Sequence, residues 1–369
     1  MSEVAVVGAG AVGAVIAYEL SREPHLNVTL FDAQQPATGA TGAALGLLLG
    51  AISGKTRGRA WRLREASLRR YETLIPELET LTGRTIPYNR QGLLQLRLSG
   101  DDPEPWQQLA ATRSRQGWPL ELWDRQQLQA RCPHAAGPDV TGAVHSPCDR
   151  QLDPSALTQA LVAGAQVNGA ACQWGMAVES IEASERGNQR AGQYLHTTAG
   201  RWRFDWLVLA AGLGTASLAA SLAPPPDLRP VLGQALRVRL PQTLGDPAFQ
   251  PAITGGDVHL IPLGGREYWV GATVEFPDAA GEVSPNPAQL EQLWQAALGF
   301  CPALAEAEIR QHWWGRRPRP EGRAAPIIEA LPGYRNVWVA AGHYRNGVLL
   351  APATAQAIRE VIGTATAAA

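Results

Sequence analysis

Val4-Ala5-Val6-Val7-Gly8-Ala9-Gly10-Ala11-Val12-Gly13 opens the chain, a mostly apolar run continues to Leu20, and Val28-Thr29-Leu30-Phe31-Asp32 follows. That order reads as strand, glycine turn, helix, strand. The three glycines have separate tasks in such a unit. Gly8 permits the tight turn, Gly10 lets backbone approach a pyrophosphate, and Gly13 lets the helix pack close to the strand. The helix start at Ala11 and Val12 offers unpaired N–H groups and a positive dipole end to phosphates. Asp32 closes the second strand 19 residues after Gly13, where a carboxylate accepts a ribose hydroxyl, and Ala33 follows it. A glycine-rich unit without a ligand is the bland alternative. Strand, helix, second strand and terminal acid in the right order weigh against it and point to a dinucleotide. The motif does not separate NAD from FAD, while an acid at Asp32 disfavours NADP by repelling a 2′-phosphate.

Outward from this unit, composition bounds the class. The chain has 369 residues and 32 Lys+Arg against 33 Asp+Glu, a balance without the basic excess of a nucleic-acid binder. Hydrophobic residues make up 45%, enough for a large core, and the length suggests two domains or one with an insertion. No apolar run reaches the roughly 18 residues of a membrane-spanning helix. Val4 is apolar with no basic stretch before it, so no signal peptide is expected. Cys132, Cys148, Cys172 and Cys301 lie far apart, without a CxxC pair, and read as incidental thiols in a cytoplasmic protein. Lys55 is the only lysine, so Schiff-base chemistry has one candidate.

Gly50-Ala51-Ile52-Ser53-Gly54-Lys55-Thr56 imitates a phosphate-binding P-loop, but Leu49 stands where that loop needs glycine. Beyond it, Lys55, Arg57, Arg59, Arg62, Arg64, Arg69 and Arg70 meet only Glu65 in opposition, while Trp61, Leu68, Tyr71, Ile75 and Leu78 recur at helical spacing. The reading is an amphipathic helix whose basic face is either simply solvated or a docking surface for an acidic partner.

Asp149 to Asn168 reads as a turn and a helix, Arg203 to Gly212 as a buried strand entering a glycine turn. Gln234–Leu240, Val258–Pro262 and Tyr268–Thr273 read as antiparallel strands. Near the end, Trp313-Trp314-Gly315-Arg316-Arg317-Pro318 precedes Ala340-Ala341-Gly342-His343-Tyr344-Arg345-Asn346-Gly347-Val348-Leu349-Leu350-Ala351-Pro352-Ala353-Thr354, a strand, glycine turn and helix. This last stretch, with the opening unit, the Ala40-to-Leu47 turn, Ala211-Gly212 and Gly315-Arg316-Arg317-Pro318, resembles the FAD-dependent D-amino acid oxidase superfamily, and within it the glycine oxidases. The resemblance spans nearly the whole chain and is thinnest between about Asp101 and His145.

The resemblance implies an α/β fold: an FAD-binding Rossmann-like domain from residues 1–85, 146–223 and 318–369, and a second α+β domain built on an antiparallel sheet from 86–145 and 224–317. It implies FAD as cofactor, with Gly8, Gly10, Ala11, Val12, Gly13, Asp32 and Ala33 on the ADP half. Ala40, Thr41, Gly46 and Leu47 would pass beside the pyrophosphate and ring, and Val178 and Gly212 would stand nearby. His343, Arg345, Asn346, Gly347, Val348 and Leu349 would contact the ring. Arg317 would take a substrate carboxylate, with Arg345 as a second arginine, because a guanidinium fork grips a carboxylate through two parallel hydrogen bonds. Hydride would then leave Cα for flavin N5, giving an imino acid.

His259 and Asp257 stand where the glycine oxidases carry a tyrosine and a histidine, so His259 is either a pocket hydrogen bonder or a core histidine. An Asp257 facing the pocket would favour a cationic substrate. The implied partners are a small amino acid or amine and O2 or another electron acceptor, with a homo-oligomer possible and covalent FAD not expected. The alternatives are a flavin-binding interaction protein that docks through the basic helix, or an amine-oxidising module for a modified tRNA base.

Overall fold

The computed structural model describes residues 1–186 and 189–367. Its first sheet has six strands in the order Ile327–Ala330, Val337–Ala341, Trp206–Leu209, Ser2–Val7, Leu26–Asp32, Ala171–Trp174. Neighbours run parallel except at the edge pair Ile327–Ala330 and Val337–Ala341. Val4, Ala5, Val6 and Val7 are all buried, as a parallel sheet covered on both faces requires. The opening strand lies between its successor Leu26–Asp32 and the much later Trp206–Leu209. Chain order therefore reverses beside it, and ligands of open α/β sheets settle in the crevice at such a switch point.

Helix Ala11–Ser21 packs against Pro154–Val167 and Gly347–Ala367, and both the latter meet Gly58–Thr82. Trp61, Leu68, Tyr71, Ile75 and Leu78 of this last helix are buried, as their spacing predicts, each stabilising by about 2 kcal/mol before entropy is counted. Its arginines do not form one docking face. Arg70 pairs with Glu19 at 2.7 Å and Glu77 at 2.8 Å, Arg69 with Glu65 at 2.9 Å, and Arg59 donates to the Pro326 carbonyl at 3.0 Å. That dispersal weakens the docking expectation.

The second sheet has eight strands in the order Glu308–Pro320, Leu228–Arg239, Glu267–Gly271, Val258–Pro262, Ala252–Gly255, Leu93–Leu98, Val140–Ser146, Glu121–Asp124. It is antiparallel except where Ala252–Gly255 runs parallel to Leu93–Leu98. No hairpin links those two strands, so nothing local dictates their relative direction. Their pairing joins the strands of two distant chain segments into one surface.

One expected element differs. Arg203 to Gly212 is not one strand: Gly200–Arg203 belongs to a three-stranded sheet with Val178–Arg186 and Gln189–Thr197, and the parallel strand starts at Trp206. Between them the Phe204 amide still donates to Gln193, while Asp205 already exchanges hydrogen bonds with Glu3, so the chain changes sheets in two residues. The Trp313–Pro318 motif is part of a 13-residue strand that places Arg317 opposite Val231.

Candidate active site

A cavity of about 1000 Å³ runs from the carboxyl ends of the parallel strands to the face of the antiparallel sheet. This is the upper end of the usual range for small-molecule sites. At one end Gly8 has φ +108°, and a Cβ there would lie 2.5 Å from the Ala210 carbonyl oxygen. A Cβ on Gly13 would lie 1.8 Å from the Gly8 carbonyl oxygen, so both positions exclude any side chain. Gly10 is the N-cap residue, in extended backbone and with no side chain of its own to cap the helix, while the Ala11 amide, expected to be unpaired, donates to Thr41 Oγ1 at 2.9 Å. Gly8, Gly10, Ala11 and Val12 line the cavity, whereas Gly13 does not and acts through helix–strand approach alone.

Asp32 lines the same end with Ala33. Its Oδ2 accepts the Ala9 amide at 2.6 Å and its Oδ1 the Gln34 amide at 2.8 Å, so it also fixes the glycine turn. Two carboxylate oxygens retain capacity for a further donor. Ala40, Thr41, Gly46, Leu47, Val178 and Gly212 all line the cavity. Thr41 Oγ1 accepts the Ala11 amide at 2.9 Å and ties this turn to the helix start. Gly46 has φ +71° with the Leu152 carbonyl oxygen 1.8 Å from where a Cβ would stand.

The C-terminal segment supplies the facing wall. Val337–Ala341 ends at Gly342, a short 3-10 turn Tyr344–Asn346 follows, and Gly347–Ala367 begins. His343, Arg345, Asn346, Gly347 and Val348 line the cavity, while Leu349 is buried behind them. His343 Nε2 lies 2.9 Å from Thr354 Oγ1, whose own proton goes to the Leu350 carbonyl at 2.9 Å. The ring therefore donates from Nε2. Burial lowers its pKa to about 3, with the Arg59 charge adding to the effect, so it is neutral.

Arg317, Arg345 and His259 meet at the antiparallel-sheet end. The Arg317 guanidinium lies against Gly233, where a Cβ would come within 2.1 Å of Nη2, and Nη1 donates to the Leu232 and Thr273 carbonyls at 3.1 Å each. Among the described residues no carboxylate pairs with it. Burial, then the charge of Arg345, hold its pKa below the usual arginine value. Arg345 makes a long 3.6 Å pair with Asp257, whose side chain is 83% exposed. Asp257 therefore faces solvent and not the cavity, which removes the expected reason to favour a cationic substrate. His259 is 7% exposed and holds Thr254 Oγ1 from Nδ1 at 2.9 Å. Burial first, then Arg345, lower its pKa to about 4, so it serves as a neutral hydrogen bonder.

Sequence reading missed what holds the wall between these ends. The pseudo-P-loop binds an internal anion: the amides of Gly50, Ala51 and Ile52 each donate to the buried Asp149 carboxylate at 2.8 Å. Arg113, fully buried, grips the carbonyls of Ala51, Ser53 and Lys55 from the other side. No local signal links Asp149 or Arg113 to that loop. Ile52, Ser53, Arg64 and Gln95 also line the cavity and were not anticipated.

The model for the FAD dependent oxidoreductases matches residues 3–361, and the chain belongs to that family. It is 32% identical to the bifunctional protein ThiO/ThiG of Synechocystis sp. over 98% of its own length and 51% of that protein's. It thus spans about half the length of this relative. It is 28% identical to the glycine oxidase of Geobacillus kaustophilus, over 98% of this chain and 92% of that one. The crystal structure of the Geobacillus kaustophilus glycine oxidase superposes with a TM-score of 0.85 at 26% identity, covering 99% of this chain and 95% of that chain. The protein is an FAD-dependent oxidoreductase. Its residues fit FAD: two glycine positions that admit no Cβ, a helix start with glycine as its N-cap residue and an acid beside them form a dinucleotide cradle at one end of a cavity that continues to the second sheet.

Proposed function

We propose that the protein oxidises the C–N bond of a small amino acid or N-substituted amino acid to an imino acid. The observation that carries this reading is Arg317, a half-buried cavity-lining guanidinium fixed by two carbonyls with no carboxylate partner among the described residues. A substrate carboxylate would supply the missing anion through a bidentate contact. When bound, FAD supplies the two-electron acceptor. Gly8, Gly10, Ala11, Val12 and Asp32 would hold its ADP half, and Ala40, Thr41, Gly46, Leu47 and the 343–348 segment would hold the rest. Arg317 orients Cα, Arg345 adds positive charge at its side, and His259, neutral and anchored to Thr254, offers a hydrogen bond without repelling the arginines.

Membership in the two sheets supports a division into 1–85, 146–223 and 318–369 against 86–145 and 224–317, although strand Glu308–Pro320 crosses the last seam. All four thiols are free, which supports a reducing compartment such as the cytoplasm. The near-neutral charge and the paired arginines of the basic helix speak against a tRNA-directed or docking role. The test is anaerobic titration of the holoprotein with a panel of amino and N-methyl amino acids. Bleaching of the flavin band is expected, and none by any member would refute the reading. Admitting air then separates oxidase, with prompt reoxidation and peroxide, from dehydrogenase.

A further inference from the structure

Glu275 is a buried carboxylate, 5% exposed, and among the described residues no arginine, lysine or histidine forms an ion pair with it. Three donors meet it instead. Gln234 Nε2 donates to Oε1 at 2.8 Å, the Thr273 hydroxyl donates to the same oxygen, and the Asn286 amide donates to Oε2 at 2.8 Å. A charge taken out of water is costly unless an opposite charge lies close by. The opposite charge lies on the other side of Thr273. That residue gives its hydroxyl to Glu275 and its carbonyl to Arg317 Nη1, the latter at 3.1 Å.

Both carbonyls that hold Arg317 belong to this bracket. Leu232, whose carbonyl accepts Nη1 at 3.1 Å, also exchanges two backbone hydrogen bonds of 2.9 Å with Glu275 itself. The Gln234 amide donates to Thr273 Oγ1 at 2.8 Å, and its carbonyl accepts the Thr273 amide at 3.1 Å. Strand Glu267–Gly271 has already ended here, so these bonds and the Glu275 side chain hold the segment to Leu228–Arg239 in place of a regular ladder. Gln234 Oε1 in turn accepts from His312 Nε2 at 2.9 Å, on the strand that carries Arg317. The Glu275 charge acts on Arg317 against burial and against Arg345, which both lower its pKa.

We infer that Glu275 is the positioning residue of Arg317: through Thr273 and Leu232 it fixes the two carbonyls that aim the guanidinium, and it balances that charge from behind. A carboxylate in direct contact would compete with the substrate for the fork, whereas one set behind Thr273 leaves those donors to the ligand. This rests on the reading of Arg317 as the holder of the substrate carboxylate.

The holoprotein is titrated at constant ionic strength with acetate, which offers a carboxylate and no amine, and binding is read from the shift of the flavin absorbance. Glu275→Gln and Thr273→Val should each weaken acetate about tenfold, while Thr273→Ser, which keeps the hydroxyl, should stay within about twofold of the wild type. Arg317→Ala should weaken acetate at least as much, and adding Glu275→Gln to it should change the affinity by less than about twofold, because the residue through which Glu275 acts is gone. Wild-type affinity in Glu275→Gln or Thr273→Val overturns the inference, as does a Thr273→Ser variant as weak as Thr273→Val. So does an undiminished effect of Glu275→Gln in the Arg317→Ala background, which would make Glu275 a support of the fold alone. If Glu275→Gln yields no folded holoprotein, the two Thr273 variants decide by the same criteria. Should Arg317→Ala lose acetate while Glu275→Gln keeps it, only this inference fails; should Arg317→Ala bind acetate as the wild type does, the reading beneath it fails too.

Discussion

Arg317 lines the cavity held by two backbone carbonyls, with no carboxylate partner among the described residues. Leu232 and Thr273 satisfy one of its nitrogens and leave the fork without a carboxylate. Arg317→Ala should therefore raise KM and lower kcat/KM about 100-fold, roughly 3 kcal/mol for a bidentate charge-assisted contact, in steady-state kinetics. Unchanged turnover would remove it from the site. His259 and His343 carry a pH prediction. Their folded-state pKa values, about 4 and about 3, lie below the roughly 6.5 of an exposed histidine. The unfolded chain then binds more protons across that interval, so stability falls as pH drops from about 6.5 toward 4. Melting temperatures across this range should show the decline, and His259→Asn should flatten it. Both histidines stood out in the sequence, but their neutrality did not, because it comes from burial by segments far along the chain.

Among elements, the glycine turn is the least tolerant of change. Gly8→Ala places a Cβ against the Ala210 carbonyl at a left-handed φ. About 2–3 kcal/mol of stability should be lost in urea unfolding, together with FAD affinity. This turn was fully legible, since each glycine's task is local to one βαβ unit. The Gly50–Ile52 loop was legible only as something it is not. Its amides do bind an anion, but the anion is Asp149, about a hundred residues away. Removing that carboxylate leaves three buried amides and Arg113 unbalanced. Asp149→Ala should cost about 3–5 kcal/mol by chemical denaturation and loosen the wall beside Ser53. A variant as stable as the parent would show that water replaces the carboxylate there.

For the whole molecule, the cavity has walls from both sheets, so a cofactor lying in it bridges chain segments that are remote in sequence. Removing FAD should lower the melting temperature, and restoring it at a hundredfold excess over Kd should return about 2.7 kcal/mol. Scanning calorimetry of the stripped and reloaded protein tests this, and identical curves would deny that the bound dinucleotide braces the two sheets. The pairing of Ala252–Gly255 with Leu93–Leu98, the one parallel junction in the second sheet, is where the two segments that build its face become continuous.

Local pattern was enough for the βαβ unit, the buried stripe of Gly58–Thr82 and the strand-to-helix turn at Gly342, because turn chemistry and hydrophobic period act over a few residues. Only long-range packing made Asp257 look to solvent, Asp149 fill the pseudo-P-loop and Arg64 line the cavity with no carboxylate partner among the described residues. Whether a charged side chain is paired, exposed or waiting depends on which distant segment folds against it, and no local pattern encodes that.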